Sequence, residues 1–140
     1  MTDSEARLVE SRQLARTIIL AAEQVKADFA HAAAPFDLPV PLARALMVLA
    51  APTPMRELAE QLVCEPSYVT GLADQLEHRG LATRTVGKDR RVKLLEVTPA
   101  GSALRDRLAD ALAQRAIIER RLDDEERAGL TRLLGRLLGP

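Results

Sequence analysis

Covalent chemistry has little to work with in this chain. Two histidines, His31 and His78, and one cysteine, Cys64, are not spaced as a metal-ligand set. No nucleophile–base pair, paired-carboxylate site or glycine-rich phosphate loop stands out, so neither an enzyme nor a cofactor is expected. The reactive feature is a cluster of charge. From residue 79 to residue 93 stand Arg79, Arg84, Lys88, Arg90, Arg91 and Lys93 against a single acid, Asp89, in a chain of zero formal net charge. Cations gathered in this way attract phosphate. Just upstream, Ser67, Tyr68, Thr70, Gly71 and Gln75 are short, polar or able to donate hydrogen bonds. Near a helix N-terminus such residues can reach base edges and phosphates.

Both groups need elements to present them. The polar residues fall on a helix over residues 66–79, opened by Pro66 and stopped by Gly80. Val69, Leu72, Ala73 and Leu76 recur at i, i+3, i+4 and i+7 and form its buried face. Ser67, Tyr68, Gly71, Asp74, Gln75 and His78 then point outward, with Thr70 at the border. A shorter helix precedes it, from Met55 to about residue 62, burying Met55, Leu58, Ala59 and Leu62, with Thr53 as N-cap and Pro54 in the first turn. Val63-Cys64-Glu65 is the turn between the two. After Gly80, residues 81–86 and 92–97 are rich in Thr, Val and Leu and read as a hairpin, with Gly87-Lys88-Asp89-Arg90-Arg91 at its tip. Taken alone, the helix face could be merely solvated and the hairpin merely solubilising. A helix–turn–helix followed by a protruding basic loop favours a reader of duplex DNA, with the loop beside the phosphates of a minor groove.

The flanking segments are helical. Residues 4–33 contain no Pro or Gly and carry Leu8, Leu14, Ile18, Ala21, Ala22, Val25 and Phe29 at threes and fours. Pro35 ends that helix. Pro41 opens a second, with Leu42, Ala45, Leu46 and Leu49 inward. Thr98-Pro99 opens a fifth, with a stripe of Leu104, Leu108, Ala111, Leu112 and Ile118. Asp123 and Glu126 form a capping box at the start of a sixth, whose Leu130, Leu133, Leu134, Leu137 and Leu138 make an apolar seam. The two terminal segments can pack on each other or on a second copy; stripes with no evident partner between them favour a homodimer. The expected fold is mainly α with a small β-hairpin wing. It is one domain over residues 1–140, with a DNA-binding lobe at 36–98 and dimerisation helices at 4–34 and 99–140.

Composition bounds the rest. Aromatics are only Phe29, Phe36 and Tyr68, so the core is expected to be aliphatic. One cysteine excludes an internal disulfide and fits a reducing compartment. The polar, acidic MTDSEARLVESRQ has no apolar secretory core behind it, and no apolar run is long enough to span a bilayer. A cytoplasmic protein without a membrane partner is expected.

PSYVTGLADQLEHRGLATR followed by GKDRRVKLLEVTPAG resembles the winged-helix core of the MarR family of bacterial transcriptional regulators. The Asp-Arg-Arg wing tip and the closing Val97-Thr98-Pro99-Ala100-Gly101 carry the resemblance most specifically, and it extends along the whole chain. It implies a homodimer with intertwined terminal helices. Each subunit would put its fourth helix in a major groove and its wing in the flanking minor groove. Ser67, Tyr68, Thr70, Gly71 and Gln75 match the major-groove positions. Asp89 matches the wing acid that orients the wing arginine, Arg91 the arginine that enters the minor groove, and Arg90 a phosphate contact; Arg84 and Lys88 complete the DNA-binding set. Family members often carry a basic side chain where this chain has Gly71. Asp74 matches an acid that orients a nearby arginine. The family also implies a ligand-responsive repressor on a pseudo-palindromic operator. Its small amphipathic or phenolic effector would lie between the two lobes, and His31, Phe36 and Met47 are candidate wall residues here.

Two other regulators or binders are open. Cys64, just before a helix N-terminus, could serve a redox sensor. A winged helix can also act as a protein adaptor without DNA. Steep loss of affinity with salt separates a DNA reader from an adaptor.

Overall fold

In the computed structural model, which describes all residues from Met1 to Pro140, the chain divides into two compact units. One comprises Ala32–Leu112. The other comprises Met1–His31 with Ala113–Pro140. Helix α1 spans Asp3–Ala33. Pro35 falls in a 3₁₀ turn, Ala34–Phe36, after which Asp37 takes a left-handed conformation (φ 51°).

Within Ala32–Leu112, α2 (Val40–Val48) buries Leu42, Ala43, Ala45 and Leu46. Helix α3 (Met55–Leu62) buries Leu58, Ala59 and Leu62, while Met55 is half-buried rather than internal. Helix α4 (Pro66–His78) buries Val69, Leu72, Ala73 and Leu76. Gly80 follows with φ 72°, a conformation glycine adopts without a Cβ penalty, and this ends the helix. Strands β2 (Ala82–Val86) and β3 (Lys93–Val97) pair antiparallel, with Arg84 opposite Leu95. The core is aliphatic: Leu42, Leu46, Leu49, Leu58, Val69, Leu76, Leu95 and Leu108 are fully buried.

Thr53 and Pro54 correct the sequence reading. They do not cap α3; they form a two-residue strand, β1, and the sheet order is β1-β3-β2. Thr53 pairs with Leu95, and its hydroxyl donates to the Ala51 carbonyl at 2.8 Å. Pro54 sits at the N-cap position of α3, with no side-chain cap bond. Pairing with β3 satisfies more backbone than a single capping bond, so the extended conformation prevails.

Helix α5 (Pro99–Arg115) opens as expected. Thr98 Oγ1 accepts the Gly101 N–H (3.1 Å) and donates to the Gly80 carbonyl (2.6 Å), tying the start of α5 to the end of α4. A side chain at Gly101 would put its Cβ 1.9 Å from the Leu81 carbonyl oxygen. The Thr-Pro-x-Gly sequence is thus a joint: the hydroxyl makes it and the missing side chain lets it close.

In the other unit, Ile118 does not continue the α5 stripe. Helix α5 stops at Arg115, Ala116 is non-helical (ψ 114°), and a short α6 spans Ile117–Arg121. Asp28, buried on α1, accepts the Ile117 N–H through Oδ2 (2.9 Å) and the Gln24 amide through Oδ1 (3.0 Å). It caps α6 from 89 residues away. The Ile117 N–H first, then Gln24, hold the Asp28 carboxyl below the usual carboxylate range, helped by the charges of Arg120 and His31. Helix α7 (Asp124–Leu138) starts with the expected capping box: Asp123 Oδ1 accepts from Glu126 N–H (2.8 Å), and Glu126 Oε1 from Asp123 N–H (3.0 Å). Leu8, Leu14, Ile18 and Val25 on α1, and Leu130, Leu133, Leu134, Leu137 and Leu138 on α7, are exposed in the single chain.

No helix is long and apolar enough to cross a membrane.

Candidate nucleic-acid interface

The 3.6-residue period of α4 leaves one face free once Val69, Leu72, Ala73 and Leu76 are buried. Ser67, Tyr68, Thr70, Asp74 and Gln75 are exposed on it, and Gly71 is half-buried. A methyl group at Gly71 would meet nothing within 4 Å, so nothing inside the chain demands glycine there. Thr70 donates its hydroxyl back to the Pro66 carbonyl (3.2 Å), which leaves the oxygen free to accept.

The wing tip is folded by its one acid. Asp89 Oδ1 accepts the Arg91 N–H at 3.0 Å and lies 3.9 Å from Arg91 Nε, an Asx-type turn with a loose ion pair added. Gly87 N–H to the Val92 carbonyl (3.0 Å) and Val92 N–H to the Asp89 carbonyl (2.9 Å) close the loop. Lys88 and Arg90 are exposed, and the Arg91 side chain is 94% exposed. An exposed ion pair contributes little to stability. These cations therefore remain available to an outside anion.

Arg84 behaves differently from the other cations with which the sequence groups it. Its Nη2 lies 2.7 Å from Asp74 Oδ1 and 3.3 Å from the Thr70 carbonyl, and its Nη1 lies 2.9 Å from Glu77 Oε2. Its backbone N–H donates to Glu77 Oε1 at 2.9 Å. The bond from Asp74, with the charge of Glu77 added, raises the guanidinium pKa against a smaller opposing effect of burial. Arg84 is thus committed to α4, and Asp74 is its partner. Glu77 is a residue that sequence reasoning missed. Nothing in the 66–79 periodicity marks it, because its role depends on β2 running beside α4.

Thr70, Arg84, Arg91 and Lys93 line one open groove of about 980 Å³, together with Arg56 and Glu57 from the start of α3. Arg56 is a further cation the sequence did not single out; only the fold brings α3 to the wing. Elsewhere, Cys64 is half-buried in the turn after α3, its N–H bonded to the Ala59 carbonyl (3.1 Å). Phe36 lies under the Arg107 guanidinium (5.1 Å to the ring centroid), and the Met47 carbonyl accepts Nε and Nη2 of Arg105 at 3.1 and 2.9 Å. His31 is exposed and belongs to the other unit. No cluster of His, Cys, Asp or Glu could hold a metal ion.

The MarR family model matches residues 50–93, the segment from the loop after α2 to the start of β3. No curated protein matches the sequence. Among solved structures, the chain is similar to AbsC, a MarR family transcriptional regulator from Streptomyces coelicolor (TM-score 0.77, 20% identity, 99% of this chain and 94% of that one). It is similar to a mutant MarR from E. coli complexed with operator DNA (TM-score 0.73, 24% identity, 94% and 96%). It is also similar to CouR from Rhodococcus jostii RHA1 bound to p-coumaroyl-CoA (TM-score 0.71, 26% identity, 91% and 92%). The mainly helical architecture with one small antiparallel sheet is the winged-helix fold of these proteins.

Proposed function

We propose that the protein is a sequence-specific DNA-binding transcriptional regulator of the MarR type, a reading supported by the MarR family model's match to residues 50–93 and by the winged helix–turn–helix fold shared with MarR-family structures. Members of this family are regulators, not enzymes. The reading is of a cytoplasmic homodimeric repressor on a pseudo-palindromic operator. Each α4 reads a major groove through Ser67, Tyr68, Thr70, Gly71 and Gln75. Each wing enters the flanking minor groove through Arg91, with Lys88 and Arg90 on phosphates. The observation that carries it is the exposed wing: three cations on a tip that Asp89 shapes, in the same unit as a helix with an exposed polar face. The large apolar side chains left exposed on α1 and α7 support a dimer, since apolar surface of this kind is what association covers. CouR's ligand supports an amphipathic effector, for which His31, Phe36 and Met47 are the first residues to substitute.

The test is a gel-shift titration on duplexes selected by the protein from a random pool. Arg91→Ala should weaken specific binding by roughly tenfold or more and flatten the log–log salt slope by about 0.9 for each phosphate no longer neutralised. Gln75→Ala should change the preferred sequence. Binding that neither substitution alters refutes the docking. A monomer in sedimentation at working concentration refutes the assembly.

A further inference from the structure

Glu77 uses both carboxylate oxygens on one residue of the neighbouring strand. Oε1 takes the Arg84 backbone N–H (2.9 Å) and Oε2 takes its guanidinium (2.9 Å). Strand β2 is an edge strand, so this N–H has no ladder partner; without Glu77 it would face solvent. The guanidinium continues along α4 to Asp74 and the Thr70 carbonyl. Residues 70, 74 and 77 lie at i, i+4 and i+7, one line along the helix. One arginine is therefore pinned at both its main chain and its side chain. The pin lies two residues before the end of β2, opposite the fully buried Leu95.

We propose that Glu77 is a positioning residue for DNA reading: through Arg84 it sets the angle of the wing against α4, so that helix and wing meet the duplex as one rigid reader. This rests on the DNA-binding reading above. Glu77 touches no nucleic acid in this scheme. A solvated ion pair would do little for stability, but one that also holds a strand's backbone restricts the direction of everything beyond it. The charge balance sharpens the distinction. Two carboxylates face one guanidinium, so removing Glu77 lessens repulsion of phosphate while releasing the wing.

The test compares wild type, Glu77→Gln and Arg84→Lys on a duplex selected by the wild-type protein from a random pool, and on a random-sequence duplex of equal length. The Gln variant keeps an acceptor for the Arg84 N–H but turns an amide toward the guanidinium. The Lys variant keeps the charge but loses the fork that spans two carboxylates. Both should lower specific affinity by roughly an order of magnitude, the worth of one base-reading contact, and leave random-duplex affinity equal or higher. Hydroxyl-radical footprints should lose the wing's minor-groove protections and keep the tracts over α4. Thermal melts check that both variants fold. Retained wing footprints with an unchanged ratio of specific to random affinity overturn the proposal. So does an Arg84→Lys variant that behaves as wild type while Glu77→Gln does not. A wild-type protein that selects no duplex overturns the DNA reading itself.

Discussion

Two glycines in helices invite the same substitution with opposite outcomes. At Gly71, inside α4, a methyl meets nothing within 4 Å. Alanine there restores ordinary helix propensity, and the domain should gain about 0.5–1 kcal/mol. At Gly101, in the first turn of α5, the Cβ would sit 1.9 Å from the Leu81 oxygen, 2.8 Å from its carbonyl carbon and 3.2 Å from its Cα. Relief to ordinary contact requires a retreat of about 1.5 Å by backbone rather than by a flexible side chain. That backbone is held. The Leu81 carbonyl accepts the Thr98 N–H (3.0 Å), the Leu81 N–H donates to Leu76 (2.9 Å), and Gly80 accepts the Thr98 hydroxyl (2.6 Å). Overpacking of this kind costs about 1–3 kcal/mol, and breaking two of these hydrogen bonds costs about 1 kcal/mol more for each. Gly101→Ala should therefore lose about 3–5 kcal/mol, a fall in Tm of roughly 10–17 °C for a chain of this size. Urea unfolding followed by circular dichroism, at one protein concentration for all variants, measures both. A Gly101→Ala loss below about 1 kcal/mol at unchanged m would mean that α5 lifts off Leu81 freely, and that the joint between α4 and α5 is not rigid.

Val63 holds a left-handed conformation (φ 52°) although it is β-branched, and it is 88% exposed. Val63→Gly removes about 1–2 kcal/mol of strain against roughly 0.5–1 kcal/mol of added chain entropy, so its Tm should rise slightly; a lower Tm counts against strain in this turn. Asp28→Asn tests the long-range cap. The folded carboxyl has a lowered pKa, so its contribution is present above the usual carboxylate value near 4 and is lost as pH falls through the lowered one. The Tm difference between wild type and variant should be widest near about pH 6 and shrink toward about pH 2. A gap that stays constant across that range would exclude an ionised Asp28 as the cap.

Local chemistry made much of this protein legible. The four buried residues of α4 are spaced by helical period, and that period depends only on neighbours along the chain. Proline and glycine punctuation did the same for α1, α2 and α4, and the capping box for α7. The wing tip was legible as a polar, glycine-led run between two β-rich ones. The α5–α6 break was hidden, because Asp28 acts on Ile117 across 89 residues and no local residue replaces it. Strand β1 was hidden too: two residues carry no periodicity, and Thr53 next to Pro54 satisfies a capping pattern equally well.

The candidate site divides along the same line. From residue types alone come the exposed polar face and the basic tip; the expectation that Asp74 holds an arginine comes from the resemblance to the MarR family. That this arginine is Arg84, that Glu77 grips its main chain, and that Arg56 joins the groove follow only once β2 lies beside α4 and α3 beside the wing. A sequence states which residues carry charge and which face of a helix must be buried. It does not state which charges lie within 3 Å of one another, because that distance is set by packing between segments whose separation along the chain carries no periodic signal.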